Sequence, residues 1–154
     1  TEEVLEGEIP PPLPYLSRYL GLGLDFGQFS LKRTLLRLAM AQQITIDHGM
    51  VNINAPTDEC AKQCSRILKE KGAIKNLILN NGTITHNGVS SISRALKGNT
   101  TLRLLSLSGN DVGDIGSASL GKILSAGLPG TSLTSLNLSS CNLTICGLSV
   151  MVKG

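Results

Sequence analysis

The chain has 154 residues, enough for one compact domain or a short run of stacked repeats. Charged residues are 16%, aromatic residues are 3% and Trp is absent, which excludes a charged disordered chain and predicts an aliphatic core. Residues 1–25 hold five acidic residues and one basic residue, whereas the rest of the chain has a net charge of +7. The basic residues are scattered along predicted helices without an aromatic stacking platform, so no nucleic-acid partner is predicted.

Residues 1–29 are predicted to form an acidic arm rich in Pro and Gly. Its stretch EIPPPLP should be extended, because proline fixes φ and removes a backbone donor. Ser30 is predicted to cap a helix, so residues 30–45 form a capping helix that shields the first repeat. Whether the arm instead docks on a partner stays open. The start at Thr1 has no signal-peptide pattern and leaves open that the chain is a fragment.

Four copies of one apolar pattern follow, at residues 46–73, 74–101, 102–132 and 133–154, the last incomplete. The starts are 28, 28 and 31 residues apart. Counted from the first residue of each copy, the fourth and sixth positions are apolar, which is the alternation that a strand requires. The nineteenth, twenty-second and twenty-third positions are also apolar, and this spacing places them on one face of a helix. Each copy is therefore predicted to be a strand, a turn, a helix and a return loop, which buries both apolar faces only by stacking on its neighbours.

Two further positions recur, and glycine occupies the fifteenth in three copies: Gly88, Gly116 and Gly147. The ninth position, where the chain leaves the strand, is predicted to form a structural ladder of short polar side chains that satisfy backbone groups: Asn54, Asn110 and Cys141. Gly82 replaces the expected Asn in the second copy, and Gly49 stands at the fourth position of the first copy, where Leu is expected.

The stretches LRLLSLSGNDVGDIG and LTSLNLSSCNLTICG resemble leucine-rich repeats of the cytosolic, ribonuclease-inhibitor-like type, whose repeats have about 28 residues. The resemblance covers residues 46–154. It implies an α/β fold, a right-handed leucine-rich-repeat solenoid with parallel strands on the concave side and helices on the convex side. About four repeats and an N-terminal helical cap are expected.

Strand residues that point away from the core should line the concave side, and we take them as a candidate binding surface. They are His48, Met50, Asn52, Asn76, Ile78, Asn80, Leu104, Ser106, Ser108, Ser135, Asn137 and Ser139. These side chains are mostly small, uncharged and partly apolar, which suits contact with a protein better than recognition of phosphate. The alternative, a merely solvated stripe, stays open.

Catalytic or metal chemistry is not predicted. Cys60 and Cys64 are four residues apart on a helix but lack a second ligand pair, and Cys64 falls on a core position. His48 and His86 have no partner for acid–base work. No cofactor is expected. Four Asn-x-Ser/Thr triplets, at Asn81, Asn99, Asn137 and Asn142, are interpreted as coincidence.

These observations predict a non-enzymatic interaction or scaffold subunit of a larger assembly. GTPase-regulating and innate-immune-sensor proteins carry repeats of the same type, so the resemblance leaves these two functions as alternatives. A nucleic-acid-binding module is a weaker alternative. The four cysteines without secretory context favour a cytoplasmic location, in which a cytoskeletal or ciliary site is one option. The apolar edge of the fourth copy is expected to be covered by further repeats or by a partner, without membrane insertion.

Overall fold

The computed structural model describes residues 44–47, 49–69, 74–125 and 132–152. Within these ranges the chain forms β1 (Ile44–Asp47), β2 (Met50–Asn54), α1 (Asp58–Lys69), β3 (Asn76–Asn80), α2 (His86–Leu96), β4 (Leu104–Ser106), α3 (Gly113–Ser125), β5 (Ser135–Asn137) and α4 (Ile145–Val152). We name the strand–helix pairs unit 1 (50–69), unit 2 (76–96), unit 3 (104–125) and unit 4 (135–152). None of the helices in this part of the chain is both long and apolar enough to cross a bilayer.

The five described strands form one sheet in chain order, in which β2 to β5 are parallel. Each parallel crossover contains a helix, and consecutive helices pack side by side. The α/β solenoid predicted from the repeat pattern is therefore confirmed. Its core lies between the sheet and the helices, where Leu77, Leu79, Leu105 and Ile92 are fully buried.

Two of the described helices, α2 and α4, begin after a threonine that caps them. The Thr85 side chain accepts a hydrogen bond from the N–H of Asn87, and the Thr144 side chain accepts one from the N–H of Cys146. Such a cap satisfies one of the donors that a helix start leaves free. Because apolar residues then recur every three or four positions, one face of α2 is buried against the sheet and the neighbouring helices.

The predicted end of the capping helix, at residue 45, is wrong. Ile44 and Thr45 lie in β1, which pairs antiparallel with β2. The β-branched run Ile44–Thr45–Ile46 favours a strand, and Gly49 supplies a backbone φ of 84° next to the connection. The remainder of that predicted helix and the arm at residues 1–29 lie outside the described residues.

The predicted strand register of the first repeat is also wrong, by two residues. Val51 pairs with Leu77 and therefore takes the fourth position, which had been given to Gly49. A left-handed backbone marks the same turn in all four units, at Ala55, Asn81, Gly109 and Ser140. α1 begins seven residues after Val51, whereas α2 begins nine residues after Leu77. The shorter loop restores the predicted helix register, since Cys64, Ile67 and Leu68 are buried.

Candidate binding surface

The side chains that alternate with the buried strand residues lie on the face of the sheet opposite the helices. The register aligns them in rows across the units, for example Asn52, Ile78, Ser106 and Asn137. We call this surface the strand face and define it as Met50, Asn52, Asn54, Asn76, Ile78, Asn80, Leu104, Ser106, Ser108, Ser135, Asn137 and Ser139. It contains eleven of the twelve residues chosen from the sequence.

The first unit accounts for the remaining difference. His48, which was predicted to belong to this surface, lies outside the described residues. Asn54 was predicted to join the structural ladder, but it pairs in register with Asn80 and is exposed. The difference at Asn54 follows from the two-residue shift in strand register. Asn54 therefore belongs to the strand face, and Pro56 takes the ladder position of unit 1.

The strand face is uncharged and rich in amides. Asn52 and Asn54 are exposed and Asn76 is half-buried, and none of their side chains forms a hydrogen bond within the part of the chain described. Asn80 Oδ1 accepts from Ser106 Oγ at 2.7 Å, so its amide NH₂ remains available. An amide offers two donors and one acceptor, the set that a peptide backbone or polar side chain needs from a binding surface.

Charged residues occur at the two margins of the strand face. Lys75 and Arg103 are both exposed and precede β3 and β4 at equivalent positions, where the backbone N–H of Arg103 donates to the Lys75 carbonyl at 2.7 Å. Asp111 is exposed beyond the carboxyl end of β4 and accepts from Asn142 Nδ2 at 3.1 Å. Sequence reasoning missed this basic pair, although both residues occupy the second position of their repeat.

The other two ladder residues hold the loops behind the strands. The buried Asn110 Nδ2 donates to the carbonyls of Leu79 at 2.6 Å and Leu107 at 2.7 Å, while its Oδ1 accepts from the N–H of Ile84 at 3.1 Å. Cys141 Sγ donates to the Leu107 carbonyl at 3.1 Å. Burial raises the pKa of the Cys141 thiol, which keeps this donor protonated.

Between units 1 and 2 the ladder has no side chain. A Cβ added to Gly82 would collide with the backbone of Pro56, and the Pro56 carbonyl accepts from the N–H of Thr83 at 2.8 Å. Close backbone approach therefore replaces the expected asparagine at this junction.

A second set of links joins the helix starts. Asp58 Oδ1 accepts from the N–H of Thr85 at 2.7 Å and from the N–H of Gly88 at 3.2 Å, and its Oδ2 accepts from Thr85 Oγ1 at 2.7 Å. Asp114 accepts from the N–H and Oγ1 of Thr144 at 2.8 and 2.5 Å. Each carboxylate thus ties its helix to the start of the next one.

These links explain two of the glycines at the fifteenth position of the repeat, Gly88 and Gly147. A Cβ on Gly88 would lie 2.5 Å from Asp58 Oδ1, and one on Gly147 would collide with Asp114. The hydrogen bond from the Thr144 side chain, followed by one from its backbone, lowers the pKa of Asp114 below its ordinary value. The recurring glycine was visible in the sequence, but its carboxylate partner in the preceding repeat was not.

The groups considered for chemistry are structural in this part of the chain. Burial raises the pKa of Cys64 to about 12, and Cys60 is buried beside Thr57. Within the described residues, no three His, Cys, Asp or Glu side chains are grouped as metal ligands would be. Of the four triplet asparagines, Asn99 is buried and its Nδ2 donates to the Leu68 carbonyl at 2.6 Å, whereas the other three are exposed.

Comparison with known families matches the model described as "Leucine Rich repeat" at residues 98–121 and 131–150. A search of the curated proteins finds no significant match. These two segments are therefore similar to leucine-rich repeats, which typically serve as protein-interaction modules. The matched segments contain the α3 and α4 helix starts and the whole of β5, and so include the last two units of the sheet.

Proposed function

We propose that the chain is a non-enzymatic module that binds another protein through the strand face, as a scaffold subunit of a larger assembly. The observation that supports this most strongly is a set of amides on an otherwise neutral surface, at Asn52, Asn54 and Asn76, whose side chains have no hydrogen-bond partner among the described residues. Each can pair with the backbone of an extended segment of the partner. Half-buried Met50, Ile78 and Leu104 add apolar contact between them.

The charge distribution supports a protein partner of low charge. Phosphate and carboxylate recognition generally requires Arg or Lys at the centre of a site. Here the basic pair Lys75 and Arg103 lies only at one margin, where it suits a single acidic group at the end of the bound segment. The rest of the strand face offers hydrogen bonds and apolar area.

A cytoplasmic location, in which a cytoskeletal or ciliary site is one option, belongs to the same proposal. All four cysteines are free thiols, and Cys146 is exposed. Free thiols fit a reducing compartment, where disulfides rarely persist. The cytosolic, ribonuclease-inhibitor-like subtype of the repeat is proposed on the same ground, together with the spacing of 28 residues between unit 2 and unit 3.

Affinity purification of the tagged protein from its native cells tests the proposal. We expect a small number of proteins to co-purify in stoichiometric amount and to be lost when Asn52→Lys places a cation on the strand face. The matched control is Gln63→Lys, which makes the same amide-to-ammonium change on α1, where Gln63 is bonded only to neighbours on its own helix. Equal loss with both variants, or purification of the protein alone, would reject the strand face as the binding surface.

A further inference from the structure

Charge in the described part of the chain is divided between the two ends of the strands. Each helix returns the chain from the end of one parallel strand to the start of the next, so helix ends and strand starts lie at one rim of the solenoid. Seven of the eight basic side chains that the structure describes lie at this rim, and all seven are exposed. We call them the basic rim: Arg66, Lys69, Lys75, Arg94, Lys97, Arg103 and Lys122.

The opposite rim, where strands end and helices begin, is acidic. The four acidic side chains that the structure describes lie there: Asp58, Glu59, Asp111 and Asp114. The eighth basic residue, Lys62, pairs with Glu59 at 3.7 Å and lies outside the basic rim. Asp47, at the end of β1, is the one acidic residue that the described backbone brings to the basic rim. Charge is therefore polarised along the direction of the strands.

The cations of the basic rim have no acidic partner among the described residues. Arg66 and Arg94 donate only to uncharged groups of their own helices, Gln63 Oε1 and the Ser90 carbonyl. Arg66, Arg94 and Lys122 lie in the last turns of helices that pack side by side. Packed helices are about 8–10 Å apart, which is within the Debye length of roughly 10 Å at 0.1 M salt. An anionic segment along this row would relieve the repulsion.

Helix electrostatics explains only part of this arrangement. A cation in the last turn of a helix is stabilised by the helix macrodipole, and Arg66, Arg94 and Lys122 suit that role. The macrodipole does not account for Lys75 and Arg103, which precede strands. Cations gathered from both helices and strands at one rim indicate a ligand of opposite charge.

We propose that the basic rim binds the acidic arm of the same chain through Glu2, Glu3, Glu6 and Glu8, the arm glutamates. The arm holds five acidic residues against Arg18 alone, and the arm glutamates fall within its first eight positions. Their charge complements the basic rim and is repelled by the acidic rim. The strand face carries no cation and is not part of the contact, so the inference goes beyond the proposed function.

The length of the chain permits this contact. Residues 9–43 join the arm glutamates to Ile44, where β1 begins at the acidic rim. A strand of five residues spans roughly 17 Å, at about 3.3 Å per residue. Residues 9–43 can cross that distance even at the roughly 1.5 Å per residue of a helix. Tethering gives the arm an effective concentration on the order of millimolar, which favours it over an acidic segment of another protein.

Zero-length cross-linking maps the contact. A carbodiimide joins a lysine to a carboxylate only where the two touch, and mass spectrometry locates the new amide. We expect the arm glutamates to link to lysines of the basic rim within a single chain. Lys62 is the internal control, because it should link to Glu59 and not to the arm. Arm links that favour Lys62 or Lys32, that form only between two copies, or that are absent while the control link forms would overturn the proposal.

Competition with a free arm peptide measures occupancy. A labelled peptide of residues 1–25 is titrated against the unmodified chain and against a variant with Glu2→Gln, Glu3→Gln, Glu6→Gln and Glu8→Gln, whose basic rim has no charged tethered competitor. We expect at least about tenfold tighter binding to the variant, an advantage that high salt removes. Equal binding to both proteins would leave the basic rim to an outside partner and overturn the proposal, as would a peptide that binds neither.

Substitutions in the basic rim complete the test. In the four-glutamine variant, Arg94→Gln together with Lys97→Gln should weaken peptide binding several-fold with an unchanged circular dichroism spectrum, because both side chains are exposed. Lys122→Gln replaces this pair should it not fold. The matched control is Lys62→Gln, outside the basic rim, which should leave peptide binding unchanged. Equal weakening by the control, or none by the rim substitutions, would overturn the proposal.

Discussion

Single polar side chains join the units at the residue scale. Asn110 is buried and bonds backbone groups of units 2 and 3 together, and Cys141 repeats its donor role one unit further along. A buried backbone group that loses its hydrogen-bond partner destabilises the fold, because no water molecule replaces that partner. Much of the order in the loops behind the strands of units 2 to 4 therefore depends on two side chains, Asn110 and Cys141.

Replacement of Asn110 should show this dependence. Asn110→Ala leaves the N–H of Ile84 and the carbonyl of Leu79 without the side-chain partner, so we expect the free energy of unfolding to fall by about 2–4 kcal/mol. Asn110→Cys should lose less, because a thiol at this position can donate as Cys141 does. Urea denaturation measures both variants, and equal stability of the alanine and cysteine variants would contradict the assigned role.

The Asp114 link predicts a dependence of stability on pH. Its pKa is lower in the folded chain than in the unfolded chain, chiefly through the hydrogen bond from the Thr144 side chain. The link therefore stabilises the fold above the unfolded pKa of about 3.9, and its contribution is lost as the pH falls through the lower, folded pKa.

Asp114→Asn should remove that part of the pH dependence. We expect the variant to be less stable than the unmodified protein near neutral pH and the difference to shrink in acid. Thr144→Val removes the hydroxyl donor but keeps the backbone donor, so it should remove only part of the pH dependence. It also removes the cap of α4, which lowers stability at every pH. Urea midpoints measured across the acid range are the test; parallel curves for the unmodified protein and Asp114→Asn would show that the carboxylate does not contribute.

At the scale of elements, one helix start can pack on the next only because the residue at the contact, Gly88, has no side chain. Gly88 lies within α2, where alanine is normally the better helix former by about 1 kcal/mol. A Cβ at this position would approach both Asp58 Oδ1 at 2.5 Å and Ile84 Cγ2 at 2.9 Å. The contact between helices therefore outweighs intrinsic helix propensity at this site.

Two alanine variants of α2 separate these effects. Gly88→Ala should lower the free energy of unfolding by about 1–3 kcal/mol, because it displaces Asp58 and Ile84. Asn87→Ala, one residue earlier and exposed, should change it by less than about 0.5 kcal/mol. Thermal denaturation distinguishes them, and a stabilising Gly88→Ala would mean that propensity decides this position.

Most elements were predictable because their patterns are local. The alternation of Leu77 with Leu79 predicted a strand, and the spacing of Leu120 and Ile123 predicted a helix. The register of unit 1 was not predictable, since a loop shortened by two residues moves a strand against its helix without altering either pattern. Most of the strand face followed from alternation alone, whereas the Asp58 and Asp114 links depend on contacts between side chains about 30 residues apart.

At the scale of the whole molecule, charge is separated from the surface proposed to bind the partner. The strand face contains no charged residue, and Lys75, Arg103 and Asp111 lie only at its margins. The exposed basic residues Arg66, Arg94 and Lys122 lie on helices at the other side of the sheet. Affinity at an uncharged surface comes from apolar area and hydrogen bonds, which salt screens only weakly.

Partner binding should therefore depend little on salt. We expect the dissociation constant to change by less than about threefold over a tenfold increase in salt concentration. A nucleic-acid-binding module would instead lose affinity by roughly a thousandfold or more when several phosphates are contacted. Isothermal titration with the purified partner at several salt concentrations decides between them, and a steep linear loss would contradict a neutral protein interface.

The most direct test of the strand face as the binding surface is site-specific photo-cross-linking in native cells. A photoreactive residue at position 52 lies on the strand face, and the same residue at position 63 lies on α1, at the other side of the sheet. The account predicts that position 52 captures one or a few proteins that position 63 does not. Capture of the same proteins from both positions, or from position 63 alone, would contradict it.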